Sequence, residues 1–424
     1  MSRPQPQQSQ SQSQSPQQAQ QSQQLHLAVA LDGAGWHPAA WRAPDARPGE
    51  LFTAGYWADL VTEAEHGLLD LVTIEDTLAL QGAAITGPDE RTDQVRGRLD
   101  AVLIASRVAP LTARIGLIPT TNVTHTEPFH LSTALATLDF TSVGRAGWRP
   151  QLSFRADDAA HFGRRSTPAL TADDARDSEL IAKRLAPLFA EATDVVEVVR
   201  RLWDSWEDDA VVRDAATGRF LDRRRLHPID FTGEHFAVRG PSITPRPPQG
   251  QPPVAVVAHA SIPYELAARG ADLVFVTPHS GPGAATILAQ LETAKAVVGR
   301  PADLPLKVFA DLLVFLDDRP GEAARQKERL DELDGAPLRS DAEIFTGTPS
   351  ELADLLLDRW TAGLDGFRLR PGRLPHDLTA ITRGLVPELQ RRGAFRTAYT
   401  AQTLRGHLGL ARPANRYASS PSGA

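Results

Sequence analysis

Two adjacent carboxylates, Glu75 and Asp76, stand directly after the apolar run LLDLVTI (68–74). Such a pair can serve as general acid and general base. Neighbouring residues at a strand end face opposite sides, so one is expected to point inward and the other to cap the next helix. The chain holds twelve histidines, yet their spacing is poor for a metal. His125 and His130 lie five apart, on different faces of any helix, and there is no H-E-x-x-H and no close Asp/His pair. With no cysteine, thiolate ligands, a thiol nucleophile and disulfides are excluded, in keeping with a reducing cytoplasm. There is no G-x-S-x-G elbow and no P-loop, so serine hydrolase and P-loop nucleotidase chemistry lack their motifs. The net charge is -7 with no basic block, which leaves nucleic acid without an electrostatic footprint. What remains is a set of polar residues just past apolar runs: His37, Thr120 to Asn122, Trp148, Ser153, His259, Ser261, Thr277, His279 and Arg370.

Elements that would bring such a set together are visible as alternating short and long apolar patterns. LHLAVAL (25–31), LLDLVTI (68–74), RIGLIPT (114–120), PVAVVAH (253–259), DLVFVTP (272–278), LKVFADLLVFL (306–316) and GFRLRP (366–371) read as buried parallel strands. Between them run helical periods with apolar faces at Leu99, Val102, Leu103 and Ser106, at Leu188, Ala192, Val195, Val199 and Leu202, and at Ile287, Leu291, Ala294 and Val298. About eight strand–helix repeats predict a barrel or a doubly wound sheet. A dinucleotide fold needs G-x-G-x-x-G, whereas Gly33-Ala34-Gly35 is followed by Trp36, His37 and Pro38, so the (β/α)8 barrel is preferred. Barrel enzymes collect their sites at the C-terminal ends of the strands, where the polar set falls. Residues 155–252 exceed one βα unit and read as an insertion, with a long helix ending in LWDSW and a hairpin near 234–244. Residues 1–24 are Gln/Ser-rich with no apolar core, as expected of a disordered tail and not of a signal peptide, and 417–424 read as a flexible end. No run approaches the roughly 18–20 apolar residues that cross a bilayer.

The chain resembles the bacterial luciferase-like flavin monooxygenases, in the branch that includes nitrilotriacetate monooxygenase component A. The resemblance rests on WHPAAWRAPDA (36–46), EAEHGLLDLVTIEDT (63–77), IGLIPTTNVTHTEPFHLSTALATLDFTSVGRAGW (115–148), the arm from LWDSW to PPQGQPP, and LVPELQRRGAFRTAYTAQTLRGHLGLARPANR (385–416), and so covers 25–416 as one barrel. It implies a two-component enzyme: reduced FMN comes from a separate NAD(P)H-dependent flavin reductase, O2 is the co-substrate, a small organic molecule is oxygenated, and the protein is a homodimer. It also implies flavin contacts at Asp76, Thr120, Asn122, Ser153 and Ser261, a pocket wall at Trp148, and proton handling at His37 or His259. The alternatives are an F420-dependent oxidoreductase on the same barrel and a relative without cofactor. Three stretches depart from the family pattern. The fourth strand reads Trp148-Arg149-Pro150-Gln151-Leu152-Ser153 where Trp-Asn and Val-Thr-Ser are usual. Phe189-Ala190-Glu191 stands where an Arg-Tyr pair is usual. Ala258-His259-Ala260-Ser261-Ile262-Pro263 lacks the usual phosphate-loop glycines. Glycines let backbone N–H groups approach a phosphate, so the resemblance leaves that grip open, with Arg149 and His259 as substitutes.

Overall fold

The computed structural model describes residues 24–80, 89–171, 173–174 and 177–418. The expectations for the Gln/Ser tail at 1–23 and for 419–424 lie outside the described residues. Eight parallel strands form the frame: β1 (His26–Leu31), β2 (Leu71–Ile74), β3 (Gly116–Asn122), β4 (Arg149–Gln151), β5 (Ala255–Val257), β6 (Leu273–Val276), β7 (Lys307–Leu316) and β8 (Gly366–Pro371). Their order is β4-β3-β2-β1-β8-β7-β6-β5. The ring closes between β4 and β5 through one parallel bridge, Trp148 opposite Val254, in which Trp148 N–H donates to Pro253 O and Ala255 N–H donates to Trp148 O, both at 2.8 Å. A further strand, Glu343–Gly347, pairs with Leu312–Leu316, beyond the Lys307–Ala310 stretch that β6 occupies. It raises the wall of the barrel at its C-terminal end.

Helices cover the outside: α1 (Ala54–His66), α2 (Ala101–Val108), α3 (Pro128–Thr141), α4 (Ser178–Asp204), α5 (Ser261–Gly270), α6 (Gly281–Val298), α7 (Glu322–Asp334) and α8 (Pro349–Trp360). Their starts follow local capping chemistry. Thr53, Asp100, Asp177 and Ser280 each accept a first-turn N–H, and Thr348 with Glu351 forms a reciprocal capping box on α8. The α2 expectation is corrected on its face. Because Asp100 sets the start at Ala101, the buried residues are Ala101, Ile104, Ala105 and Val108, while Leu103 is 69% exposed. Residues 155–252 contain the helix Ala156–Phe162, α4, and two hairpins, 211–221 and 231–238. The expected single hairpin near 234–244 therefore ends earlier and has a companion. No helix among the described residues is long and apolar enough to cross a membrane.

Alternation along the strands separates two environments. Leu27, Val29 and Leu31 face the helices, while Ala28 faces the lumen with Leu71, Ile118, Ala255, Leu273, Phe275 and Phe309. Leu404, Leu408 and Leu410 stop the N-terminal end of this apolar lumen. Toward the C-terminal end the lumen lining changes from apolar to charged.

Candidate active site

The change occurs at Phe275, whose ring lies 4.0 Å from the Arg368 guanidinium carbon. On β8 the period of two turns Arg368 and Arg370 to the lumen together, and the register sets Asp311 of β7 opposite Arg368. Asp311, fully buried, accepts from Arg368 Nε at 2.8 Å and Nη2 at 2.5 Å, from Arg370 Nε at 3.0 Å, and from Arg370 Nη2. Arg368 continues to Thr73 Oγ1 and Glu75 Oε1, both at 3.2 Å. Glu75 then accepts from Arg149 Nη2, and Arg149 Nε donates to Thr120 Oγ1 at 2.8 Å. On the other side Arg370 donates to Asp341 at 2.6 and 3.1 Å. Three carboxylates and three guanidiniums thus alternate across the mouth of the barrel, which satisfies charges that burial would otherwise penalise heavily. Burial raises Glu75 and Asp311, but the neighbouring arginines outweigh it and hold both carboxyls below their ordinary range. Asp341 is held at about 2, burial again being outweighed by Arg370.

A cavity of about 430 Å3 opens at the ends of β1 and β2. Trp36, Trp41, Ala34, Leu80 and Val95 give it apolar, partly aromatic walls, and Asp32, Gln94, Arg98 and Arg155 give it polar ones. Arg370 lies 4.7 Å from the Trp36 ring centroid, so the charged ladder backs directly onto this wall. Asp32 is raised by burial first, with Arg98 opposing and Glu75 adding to the rise, and Arg149 also acts on it. The cavity and the ladder are therefore one electrostatic unit. Volume and lining suit a small organic ligand held against aromatic surface.

The sequence-predicted residues fall into distinct roles. Asp76 points away from the lumen, as one of the two carboxylates must. Its Oδ2 accepts from Ala101 N–H at the start of α2 (2.9 Å) and its Oδ1 from Thr77 N–H (2.7 Å). Thr120 faces the lumen beside Arg149. Asn122 closes a turn, its Oδ1 accepting from Thr124 N–H at 3.0 Å and His125 N–H at 2.9 Å. Trp148 is fully buried, donates to Thr121 Oγ1 at 2.6 Å and packs edge-on against Trp203. Ser153 donates to Asp158 at 2.5 Å. His37 lines the cavity with both ring nitrogens engaged: Nδ1 accepts from Ala39 N–H at 3.0 Å and Nε2 donates to Asp331 of α7 at 3.1 Å. Burial pushes its pKa down, which keeps the ring neutral. His259 is half-exposed at the rim, its Nδ1 3.0 Å from Thr277 Oγ1 and its Nε2 3.3 Å from Asp341, and burial lowers it too despite Asp341. Ser261 is exposed at the first position of α5, whose preceding residue Ala260 supplies no side-chain cap. Pro263 has no N–H, so the first turn of α5 presents Ser261 and Ile262 as its free donors.

Sequence reasoning missed Asp311, Arg368, Asp32 and Arg98. The first two had a readable signal: one acid inside the apolar run VFADLLVFL, and arginines at alternate positions of FRLRP. A charge on the buried face of a central strand requires a partner on the neighbouring strand.

A flavin has three needs, and the residues present meet them. The cavity has room and aromatic surface for a flat ring. The ladder behind its Trp36 wall is rich in guanidinium donors, and Nη1 of Arg149 makes no hydrogen bond among the described residues while its other two nitrogens do. The uncapped start of α5 offers backbone donors of the kind that hold phosphate.

A closed (β/α)8 barrel with a polar cavity at the C-terminal ends of its strands defines a barrel enzyme. The luciferase-like monooxygenase family model matches residues 34–343. N-acetyl-S-(2-succino)cysteine monooxygenase of Bacillus subtilis (strain 168) is 30% identical over 457 residues, covering 93% of this chain and 98% of the relative. Nitrilotriacetate monooxygenase component A of Aminobacter aminovorans is 30% identical over 460 residues, with 92% and 98% covered. Among solved structures, a riboflavin lyase with modified FMN and riboflavin superposes with a TM-score of 0.78 at 24% identity, covering 93% of this chain and 98% of that one. The chain belongs to the luciferase-like monooxygenase family and is a flavin-dependent monooxygenase.

Proposed function

We propose that this chain is the oxygenating component of a two-component system, taking reduced FMN from a separate NAD(P)H-dependent flavin reductase and using O2 to oxygenate a small, carboxylate-bearing organic substrate. The observation that carries the reading is the cavity of about 430 Å3 whose wall combines Trp36 and Trp41 with Arg98 and Arg155. The two curated relatives are named for nitrilotriacetate and N-acetyl-S-(2-succino)cysteine, both of which carry carboxylates. Arginine is the side chain best suited to that group. When bound, the flavin supplies the redox chemistry with O2. The chain's own contribution is binding, orientation and exclusion of water. Ser261 and Ile262 at the start of α5 would receive the phosphate. Asp76, Asn122 and Ser153 hold the rim loops at fixed positions through their backbone and side-chain bonds, and Trp148 buttresses the wall from behind. His259, neutral and half-exposed, can pass a proton at Nε2 toward solvent, whereas His37 anchors the β1 loop to α7. The protein would act as a homodimer, and Leu103 over the apolar depression between α1 and α2 is the surface a second copy would cover.

Anaerobic titration of the apoprotein with reduced FMN tests the reading. Saturable binding, followed on admission of O2 by substrate-dependent oxygenation of a carboxylate-bearing compound, supports it. No saturable binding of reduced FMN rejects it.

A further inference from the structure

Among the described residues, the ladder across the barrel mouth contains one uncommitted donor. Arg149 opens β4 and stands in register with Thr120 of β3, so the backbone fixes where its side chain enters the lumen. It is 6% exposed. Nε is spent on Thr120 and Nη2 on Glu75, while Nη1 has no hydrogen-bond partner among the described residues. The position is not forced by folding alone, because Glu75 already has Arg368 at 3.2 Å and stays paired without Arg149. Arg149 also reaches the cavity electrostatically, through its effect on Asp32 in the cavity wall. A buried guanidinium with an unused N–H, held on two sides within the ladder that backs onto the cavity wall at Trp36, is a fixed cationic contact for an anionic, planar group.

We infer that Arg149 is a positioning residue for the reduced state of the flavin: it favours the anionic reduced ring over the neutral oxidised one. This rests on the flavin reading above. Fully reduced flavin loses its N1 proton near neutral pH and spreads the charge over N1 and the adjoining carbonyl, whereas the oxidised ring is neutral. A preset cation at that edge discriminates between the two by charge alone, and charge near N1 is a recognised means by which proteins tune flavins. Glu75 fixes the orientation of the guanidinium, and Thr120 orients its Nε edge. In a low-dielectric mouth this contact needs no rearrangement on binding. For a protein that must take a reduced cofactor in the presence of oxidised flavin, this is a selectivity filter.

The test measures dissociation constants anaerobically for oxidised and for dithionite-reduced flavin, using both FMN and riboflavin, on the wild type, R149N and the double variant E75A/R149N. The double variant removes the carboxylate with its partner, so that a folding defect from an imbalanced charge does not decide the outcome; far-UV circular dichroism of each variant checks the fold. The wild type is expected to bind reduced flavin at least tenfold more tightly than oxidised flavin. Both variants should lose about tenfold of that ratio, with riboflavin as with FMN. A tenfold loss corresponds to a fall of about 30 mV in the two-electron potential of the bound flavin. Equal weakening of both redox states, or no change in either, overturns the inference and assigns Arg149 to packing. A loss seen with FMN but absent with riboflavin also overturns it, because Arg149 would then be holding the phosphate. If the wild type binds neither redox state, the flavin reading itself fails, which is a different result from an unaltered ratio.

Discussion

Replacing Asp311 with Ala removes the acceptor at the centre of the ladder. The carboxylate takes four charge-assisted hydrogen bonds from two guanidiniums, three of them at 2.8, 2.5 and 3.0 Å. Without it Arg370 keeps Asp341, and Arg368 keeps Thr73 and Glu75, so neither cation is wholly abandoned. Breaking a buried pair by deleting one partner costs about 3–5 kcal/mol, because a desolvated charge is left uncompensated. The surviving contacts place D311A near the lower end, about 3 kcal/mol. D311N keeps one carbonyl oxygen of the right shape and should lose about half as much. In D311L/R368M the pair is replaced by apolar side chains beside Phe275, and at least about 2 kcal/mol relative to D311A should return. Equilibrium guanidinium chloride unfolding, followed by tryptophan fluorescence and circular dichroism, reads all three. If D311A lies within about 1 kcal/mol of the wild type, the ladder does not carry the buried charge as described, and the reasoning fails.

At the opposite end of the barrel, buried Asp70 accepts from Leu27 N–H at 2.8 Å, His26 Nδ1 at 2.8 Å and Arg396. Burial would raise it, but His26 and Arg396 hold it down to about 2 against an ordinary 3.8. Its carboxylate therefore contributes stability that is full above about pH 4 and is lost as the pH falls through 2. The contribution is about 2 kcal/mol, and the pH–stability profile of D70N between pH 4 and 2 should be flatter than that of the wild type. Ala260→Asp would cap α5 with its own carboxylate: thermal stability should hold or rise by about 1 kcal/mol, while calorimetry should show at least tenfold weaker FMN binding and unchanged riboflavin binding. Equal affinity for FMN would remove the α5 terminus from consideration as the phosphate site. Gly372→Ala sets a Cβ into the Phe315 ring, which is itself fully buried and packed edge-on against His37. It should cost about 1–3 kcal/mol in denaturant unfolding and be largely rescued by Phe315→Leu; an unperturbed single variant would show that this wall is loose.

Strand periodicity carried the barrel: seven of the eight frame strands are plain apolar runs, and the residues just past them do gather at one rim. The fourth is the exception. β4 is three residues long, Arg149–Gln151, and contains a proline, so no run marks it, and only its resemblance to the family located it. Glu75 and Asp76 diverged to lumen and helix cap as strand geometry requires. What the sequence concealed was pairing across distance. Asp311 and Arg368 are 57 residues apart, and Glu75 and Arg149 are 74 apart; their alliance follows from register, which no local pattern specifies. The shift of the α2 face has a smaller cause, since Leu103 looks like a core residue until Asp100 fixes where the helix starts.

The single bridge between Trp148 and Val254 gives the ring a seam, and the longest excursion of the chain leaves and returns on either side of it. With two backbone hydrogen bonds at this joint, against four to six residue pairings at most of the others, amide exchange should begin here under native conditions. Growth or loss of sequence in residues 155–252 tugs on a joint that already yields, beside the Arg149 end of the ladder, and leaves Asp311, Arg368 and Arg370 on β7 and β8 undisturbed. One side of the entrance can thus be reshaped by changes of loop length without recalibrating the charges on the strands opposite.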